Sequence, residues 1–427
     1  MIASIDSFME SAKKMVKRTL PEKMTIFLKR LWKGNYCFFF NIFNVKPEKI
    51  VVCSYYGDGF GCNGKYIVQA LLKKKPHCDI VWLLKSDLLK MTSGNDESST
   101  TFRNAFPPQV RFAEYGSLNG LMELATAGIW IDNCRKNFYP PKKRDQFYLQ
   151  TWHGGPPVKK IEKDAQSQLP SDYLVTARLD SSMIDLMLSN CSFTSQLCRS
   201  SFWYRGEIME CGYPRNDILL NPPEHISIEI RNHFNIAPGK GIVLYAPTFR
   251  NDFKAEFHGI DFEGIMKSLN DRFGSEWVFL VKMHPNVALK SSGLTFNRNV
   301  IDASSHKDMQ ELMLASDVII TDYSSVMFEF MLLRRPVFLY LPDTENYRKE
   351  RNLYFEITDL PFPAAESNIE LTMNIVKFNE EMYQTAIERF IKQAHFHEKG
   401  SAADLVARRI LQIIDENLPD KGKRTDS

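Results

Sequence analysis

The sequence lacks any apolar run long enough to cross a membrane. A transmembrane helix needs about 18 to 20 consecutive apolar residues, and every uninterrupted apolar segment of this 427-residue chain is shorter. The first residues also lack the compact apolar core of a signal peptide. We therefore expect a protein that does not span a bilayer.

Cysteines are few and show no metal-binding pattern. None of the eight forms a Cys-x-x-Cys pair, and none has a histidine companion at the spacing of a metal site. This usage excludes a recognisable zinc motif. It predicts instead that most cysteines are small buried apolar residues in a reducing compartment.

The chain also lacks a broad excess of one charge. Its formal net charge is +3, but residues 1–47 hold nine Lys or Arg against three Asp or Glu, so the basicity belongs to the N-terminus. A surface that binds nucleic acid needs clustered Lys and Arg within the folded body. No nucleic-acid partner is predicted.

What the N-terminus does contain is an amphipathic pattern. Lysines and arginines alternate with large apolar residues that recur at helical spacing on both sides of Pro21, namely Ile5, Phe8, Met9, Ala12, Met15, Val16, Leu20, Met24, Phe27, Leu28, Leu31 and Trp32. A basic face opposite a bulky apolar face is typical of a helix lying on an anionic leaflet. Residues 1–47 are therefore predicted to be a membrane-association arm, with residues 1–46 on the anionic surface. The alternative is a helical hairpin docked on the protein's own core.

Beyond Pro47 the chain alternates strand-like and helix-like segments in two separate series. The expected strands are Ile50 to Tyr55, Asp79 to Leu84, Val110 to Tyr115, Ile129 to Asp132 and Gln146 to Thr151, and then Gly241 to Ala246, Trp277 to Met283, Val318 to Thr321 and Val337 to Leu341. Such alternation is typical of parallel sheets covered by helices, and two series predict two doubly wound α/β domains.

The domain boundaries follow from composition. The proline-containing segment NPPEHIS is the natural linker, which gives an N-terminal domain over residues 48–224 and a C-terminal domain over residues 225–375. Residues 376–427 are expected to supply helices that pack across both domains, followed by a disordered tail from Asp420.

The segment DVIITDYSS, from Asp317 to Ser325, is the most informative part of the chain. A short apolar run is followed by Asp322, Tyr323 and two serines just before the apolar segment VMFEFMLL. This order predicts a strand, a tight loop and the start of a helix, where unpaired N–H groups can bind an anion. Ordinary N-capping by the serines is the alternative.

Two further strand ends in the same half of the sequence are polar. One ends in Thr248 and Arg250 (YAPTFRND), and the other ends in Lys282 and His284 (VKMHP). In doubly wound sheets the carboxyl ends of the strands surround one crevice. A guanidinium, an ammonium and a seryl loop suit a diphosphate, so the three strand ends predict a diphosphate site.

In the first half, the segment QTWHGGPPVKK places His153 just after a strand. A histidine at this position can act as a general base near neutral pH, although a plain loop donor is the alternative. The glycine-rich segment Gly57 to Lys65 has no Walker A order, and it is predicted to line the same cleft.

Five motifs together resemble one protein family. WHGGPPVKK, GYPRND, YAPTFRND, KMHP and DVIITDYSS, in this order, are similar to the CDP-glycerol glycerophosphotransferase family of teichoic-acid polymerases and primases. The resemblance implies a GT-B architecture, with two Rossmann-like domains facing a cleft, attached peripherally to the cytoplasmic face of the cell membrane. It also implies transfer of an alditol phosphate, most simply glycerol phosphate, from a CDP-alditol to a hydroxyl, with release of CMP, in teichoic-acid or capsular polymer synthesis.

The resemblance also implies roles for single residues. His153 corresponds to the histidine expected as base, and His284 to one that holds the diphosphate. The expected donor-site residues are Thr248, Arg250, Lys282, Asp322, Ser324, Ser325, Glu329 and Asp343. No cofactor and no metal are implied, since fixed cations can neutralise the diphosphate. The acceptor is expected to be a lipid-linked glycan or a polyol phosphate.

Three positions depart from the family pattern. Gly155 replaces a usual threonine, Glu329 stands where aspartate is common, and Asn346 stands where an acid is frequent. CDP-ribitol therefore stays open as the donor, and so does a nucleotide-sugar glycosyltransferase of the same fold. A non-catalytic membrane-associated binding protein is the alternative from another class, and a homo-oligomer is left open.

Overall fold

The computed structural model describes residues 39–248, 259–283, 296–344 and 352–418. The predicted arm lies largely outside these ranges, as do Arg250, His284, Asn346 and the tail from Asp420. The described residues form an α/β fold with two parallel sheets. None of the helices in these ranges is both long and apolar enough to cross a membrane.

The first sheet has seven strands in the order β3-β2-β1-β4-β5-β6-β7, all parallel. Its central strands are apolar throughout because helices cover both faces. The strands are β1 Lys46–Cys53, β2 Asp79–Leu84, β3 Arg111–Glu114, β4 Ala127–Asp132, β5 Phe147–Gln150, β6 Leu186–Ser189 and β7 Glu207–Glu210.

Six α-helices lie between these strands. They are α1 Cys62–Lys74, α2 Ser86–Met91, α3 Glu97–Asn104, α4 Leu118–Thr126, α5 Ser171–Met183 and α6 Ser192–Ser200, and a 3-10 helix spans Glu162–Gln168. The side chains of Asp96 and Ser117 each accept a backbone N–H in the first turn of the helix that follows, which fixes where α3 and α4 begin.

The second sheet has six parallel strands in the order β10-β9-β8-β11-β12-β13. They are β8 Gly241–Ala246, β9 Trp277–Val281, β10 Val300–Asp302, β11 Val318–Thr321, β12 Val337–Tyr340 and β13 Ala364–Ala365. The helices of this half are α7 Asp217–Leu220, α8 Glu224–His233, α9 Phe262–Phe273, α10 Met309–Ala315, α11 Val326–Phe330, α12 Asn368–Val376 and α13 Glu380–Ala394.

The nine predicted strands are confirmed as strands, with ends shifted by a few residues. Four others were missed. β6 has only four residues and continues directly from a helix, so its apolar run merges with the helical pattern. β7 is an edge strand whose residues are partly exposed, and it therefore lacks the continuous apolar run of a buried strand. β10 and β13 are short strands on the other sheet.

Each sheet reverses its strand order at one point. The reversal lies between β1 and β4 in the first sheet and between β8 and β11 in the second. Ligands of doubly wound sheets bind outside the carboxyl ends of the strands at such a switch point. The loops after these four strands are therefore where a site is expected.

The chain returns to its first half at its end. Tyr383 and Ile387 of α13 belong to the core of the second sheet. Val406 and Ile410 of the last helix, α14 Ala402–Asn417, are buried in the core of the first sheet. The final two helices thus complete one apolar core each.

Candidate functional site

His153 lies in the loop after β5, at the carboxyl end of the first sheet. Its Nδ1 is 2.6 Å from the backbone oxygen of Asn133, in the loop after β4. A carbonyl oxygen only accepts hydrogen bonds, so Nδ1 carries the ring proton and Nε2 is the basic nitrogen. The ring packs against Trp152, with centroids 4.5 Å apart, and against Tyr55 at 5.7 Å. The fold therefore leaves Nε2 as the nitrogen that can accept a proton.

Two buried asparagines hold the loop that carries His153. The side-chain amide of Asn63 donates to the Trp152 carbonyl at 3.0 Å, and that of Asn190 donates to the Gly155 carbonyl at 2.7 Å. Both asparagines are fully buried. Buried polar groups with defined partners leave a loop few alternative positions, so the loop is fixed by its contacts with the first half of the chain.

Two tyrosines beside this loop have an unusual backbone conformation. Tyr55 and Tyr56, which follow β1, have φ angles of 46° and 60°. This left-handed region costs roughly 1 to 3 kcal/mol for a residue with a side chain. The N–H of Tyr55 donates to the side-chain oxygen of Asn133 at 2.8 Å. Sequence reasoning missed both tyrosines, and the available signal was the segment SYYGDG, in which two aromatic residues stand between a strand and a glycine turn.

In the second sheet, Asp322 connects the ends of β8 and β11. Its carboxylate accepts the backbone N–H of Thr248 at 2.9 Å and the Thr248 hydroxyl at 3.0 Å. Asp322 is buried, so these bonds are sheltered from water. Two residues predicted at separate strand ends therefore touch each other at the switch point.

Lys282 follows β9, beside β8. Its ammonium donates to the backbone carbonyls of Ser304 at 2.8 Å and His306 at 2.6 Å. Burial and the nearby Lys307 lower the pKa of Lys282 from 10.5 to about 8. The charge of this side chain is thus sensitive to mildly alkaline conditions.

Ser324 and Ser325 lie between β11 and α11, as the sequence predicts. The Ser324 hydroxyl accepts the N–H of Val326 at 3.4 Å. The predicted helix is shorter than its apolar segment, because α11 ends at Phe330 and a 3-10 helix follows over Met331–Leu333. A five-residue helix has a small dipole, so any anion binding here depends on individual N–H and hydroxyl groups.

The histidine loop and the seryl loop touch each other at Gly154. A Cβ at this position would lie 2.8 Å from the Ser325 hydroxyl and 3.0 Å from the Arg215 guanidinium, and the φ angle is 146°. Only glycine fits both the space and the conformation. The structure therefore brings the loop of the predicted base directly against the loop of the predicted donor site.

Glu329 forms a buried ion pair with Arg215, across the boundary between the two halves. The carboxylate is 1% exposed, and it also accepts the side-chain amide of Gln310 at 2.7 Å. Burial raises the pKa of Glu329, and the adjacent Arg215 opposes that rise. The structure shows that Glu329 pairs with Arg215. A contact between Glu329 and the donor remains a prediction.

Arg215 belongs to the motif GYPRND, whose residues have no predicted role. Its backbone N–H donates to Asn63 at 3.1 Å, and its guanidinium lies 3.4 Å from the Tyr55 hydroxyl. In the same motif, the carboxylate of Asp217 accepts the N–H groups of Ala402 and Ala403 at 2.9 Å and 2.7 Å, at the start of α14. This motif thus connects the histidine loop, the second sheet and the last helix. The signal that could have identified it was an arginine and an aspartate within one tight turn.

A second connection between the two halves runs through Lys65. Its ammonium is 2.7 Å from both Asp308 and Glu311. Lys307 of the second half lies 3.6 Å from Asp58. These contacts place the segment Gly57 to Lys65 beside the second half. The segment is a loop only up to Gly61, because Cys62 begins α1, and its predicted place in the cleft of the site stays a prediction.

Three predicted residues, Asp343, Arg250 and His284, are not yet accounted for. Asp343 lies in the turn after β12, one strand beyond the seryl loop. Arg250 and His284 fall outside the described ranges. Within those ranges, no group of three or more His, Cys, Asp or Glu side chains is arranged to hold a metal ion.

Comparison with known proteins gives a consistent result. The family described as CDP-Glycerol:Poly(glycerophosphate) glycerophosphotransferase matches residues 36–412. A teichoic acid poly(glycerol phosphate) polymerase of Bacillus spizizenii is 31% identical over 392 residues, which cover 88% of this chain and 96% of that protein. One from Staphylococcus epidermidis is 32% identical over 397 residues, which cover 87% of this chain and 52% of that protein. The chain thus spans about half the length of the latter.

A solved structure agrees with these relatives. The wall teichoic acid polymerase TagF is 28% identical and superposes with a TM-score of 0.77, covering 93% of this chain and 97% of that one. Another structure of that polymerase was determined after a soak with CDPG.

The ion pair between Arg215 and Glu329 generates a stability prediction. In Glu329→Gln the guanidinium stays buried without its counter-charge, and the free energy of unfolding should fall by about 3 to 5 kcal/mol. Urea unfolding followed by circular dichroism measures this.

The matched control is Glu388→Gln, whose carboxylate is 70% exposed and 3.9 Å from Arg334, and which should change stability by less than about 1 kcal/mol. Replacing the pair by apolar residues in the double variant Arg215→Met, Glu329→Leu should recover much of the loss. Equal effects of the two glutamine variants would show that the buried pair does not stabilise the fold.

Proposed function

We propose that this chain, which belongs to the CDP-glycerol:poly(glycerophosphate) glycerophosphotransferase family, transfers glycerol phosphate from CDP-glycerol to a hydroxyl of a lipid-linked or polymeric acceptor. CMP is the second product, and the process is teichoic-acid or capsular polymer synthesis. The observation that carries the proposal is the contact at Gly154, which brings the loop of His153, a histidine with a basic Nε2, against the loop proposed to bind the diphosphate. The two parallel sheets are proposed to face a cleft, in the GT-B manner.

The proposed reaction is a displacement at phosphorus. Nε2 of His153 takes the proton of the acceptor hydroxyl, whose oxygen attacks the β-phosphorus of the donor. The bond from that phosphorus to the oxygen bridging to CMP breaks, and CMP leaves with the electron pair. The new phosphodiester joins the glycerol phosphate to the acceptor. The 2.6 Å bond to Asn133 supports this role, because it keeps Nδ1 protonated and Nε2 basic.

The diphosphate is proposed to bind at the ends of β8, β9 and β11. Lys282, Arg250 and His284 would neutralise charge, and Thr248, Ser324 and Ser325 would donate hydrogen bonds. Asp322 supports the site by holding Thr248, and Glu329 supports it through Arg215, whose guanidinium lies beside Gly154. Asp343, one strand further along, is proposed to contact the alditol or the ribose.

The names of similar proteins support glycerol as the alditol. The two polymerases that are about one-third identical to this chain are both named for poly(glycerol phosphate). CDP-ribitol remains the alternative donor, and a nucleotide-sugar transferase of the same fold would release UDP.

Residues 1–46 are proposed to attach the enzyme peripherally to the cytoplasmic face of the cell membrane. Their charge supports this proposal, because the basic residues of the chain concentrate there and an anionic leaflet attracts them.

The donor and the base can be tested together. The wild-type protein should release CMP from CDP-glycerol faster than from CDP-ribitol, and no UDP from a UDP-sugar. His153→Ala should lower the transfer rate by about 10²-fold or more, since a general base contributes that much. Binding of CDP-glycerol, measured by calorimetry, should stay within about twofold.

His77→Ala is the control, because this exposed histidine lies just before β2, at the edge of the first sheet opposite to the carboxyl ends of its strands, and should leave the rate unchanged. Full activity of His153→Ala in a folded protein would remove the base assignment. Release of UDP alone would remove the proposed donor.

Lys282 should make donor binding depend on pH. Its pKa is about 8, and only the protonated amine attracts the diphosphate, which as a diester has no proton that titrates in this range. Affinity for CDP-glycerol should be constant below pH 7 and should fall above pH 8, by at most about tenfold per pH unit.

Lys282→Arg keeps the charge at every pH used and should remove the dependence. Lys282→Met should bind weakly at all pH values. An unchanged pH profile in Lys282→Met would show that another group is responsible.

Deletion of residues 1–38 tests the membrane arm, and it keeps Phe40, which is buried with Leu121 and Ala125, and Lys46, the first residue of β1. Binding to vesicles of anionic phospholipid should drop at least tenfold, because the electrostatic attraction is lost, while CMP release from CDP-glycerol with a soluble acceptor should persist. Unaltered vesicle binding in the deletion variant would contradict the proposed arm.

A further inference from the structure

A cavity of about 250 Å³ opens beside His153. The described residues that line it all belong to the first half of the chain, whereas the strand ends proposed to bind the donor belong to the second sheet. The residues that line it are Tyr56, Cys134, Arg135, Trp152, His153, Lys160, Ile161, Glu162, Ala165, Gln168, Leu169 and Tyr173.

Three of these wall residues have left-handed backbone conformations. The φ angles of Tyr56, Trp152 and Glu162 are 60°, 55° and 53°. Each such residue costs roughly 1 to 3 kcal/mol, and such residues cluster at ligand sites, where the surrounding structure maintains them. Three residues around this one cavity therefore have a backbone conformation that lowers the stability of the fold.

The charges at the base of the cavity are already paired. Arg135 is buried and forms ion pairs with Glu162 at 2.8 Å and Asp180 at 3.1 Å. The Tyr173 hydroxyl donates to the other oxygen of Glu162 at 2.5 Å. Since these groups satisfy one another, they give the cavity a rigid polar wall without a strong charge.

The upper walls offer different chemistry. Tyr56, Trp152 and Tyr173 supply aromatic surface, on which the C–H groups of a polyol can pack. Lys160 and Gln168 are both exposed, and they add a cation and an amide at the opening. Aromatic surface, hydrogen-bonding groups and one exposed ammonium together suit an uncharged polyol attached to a phosphate.

We propose that this cavity binds the hydroxyl-bearing end of the acceptor, with the terminal polyol between Tyr56 and Tyr173 and the preceding phosphate at Lys160. This inference rests on the proposed function, since it assigns the second substrate of the same reaction. The hydroxyl then lies next to His153, whose loop contacts the seryl loop at Gly154. The cavity also favours a polyol over water as the nucleophile, because a water molecule gains nothing from the aromatic walls.

The experiment uses tri(glycerol phosphate) as the acceptor and measures CMP release from saturating CDP-glycerol. Lys160→Gln and Tyr56→Ala should each raise the KM for tri(glycerol phosphate) about tenfold. The Kd for CDP-glycerol should stay within about twofold. Tyr173→Phe, which removes only the hydroxyl, should raise the same KM by a smaller factor.

Lys163→Gln is the matched control. Lys163 is exposed, lies three residues from Lys160 and does not line the cavity, so the same change of charge should leave the acceptor KM unchanged. Because Lys160 is exposed, its variant tests the proposal even if Tyr56→Ala does not fold.

The outcomes separate the two proposals. If the wild-type protein releases no CMP from CDP-glycerol, the proposed function is wrong and the acceptor site falls with it. If it does release CMP but Lys160→Gln and Lys163→Gln have equal acceptor KM values, the acceptor site alone is overturned. A rise in the donor Kd that matches the rise in acceptor KM would also overturn it, because the cavity would then serve the donor.

Discussion

The buried ion pair between Arg215 and Glu329 is the interaction on which the arrangement of the site depends. Burying two charges costs free energy unless the partners pair in good geometry. Separating the two halves of the chain would break this pair, so the pair favours one relative position of the halves. The guanidinium lies beside Gly154 and the carboxylate lies on α11, directly after the seryl loop. Holding this pair together therefore also holds the histidine loop against the seryl loop.

The first half of the chain prepares its own side of this contact. Asn63 reaches the backbone of both Trp152 and Arg215, and Asn133 contacts both His153 and Tyr55. Each asparagine thus fixes two loops that are distant in sequence. In the second half, Asp322 does the same for the turn that carries Thr248. Polar side chains at the switch points define the site, and the apolar strands beneath them only supply the platform.

Much of this could be predicted from the sequence because it depends on local patterns. Apolar runs such as VVC and VIIT identified the central strands, and polar residues directly after them identified His153, Thr248, Lys282 and the two serines. Arg215 could not be assigned in this way, because its partner lies 114 residues further along the chain. Tyr55 and Tyr56 were missed for a different reason, since the segment SYYGDG indicates a turn after a strand but does not show that both tyrosines adopt a left-handed backbone. Glu329 was singled out as a donor contact from family resemblance, and only the fold shows its ion pair with Arg215.

The last helix has a consequence for how the protein is made. α14 fills the core of the first sheet with Val406 and Ile410, and Asp217 holds its first turn. During synthesis the strands of that sheet emerge from the ribosome long before this helix does. The part of this core that α14 covers, which includes residues of α1, then stays uncovered while the second sheet is translated and folded. The half of the protein that is made first is completed last, and in that interval it is the part most exposed to aggregation and most dependent on chaperones.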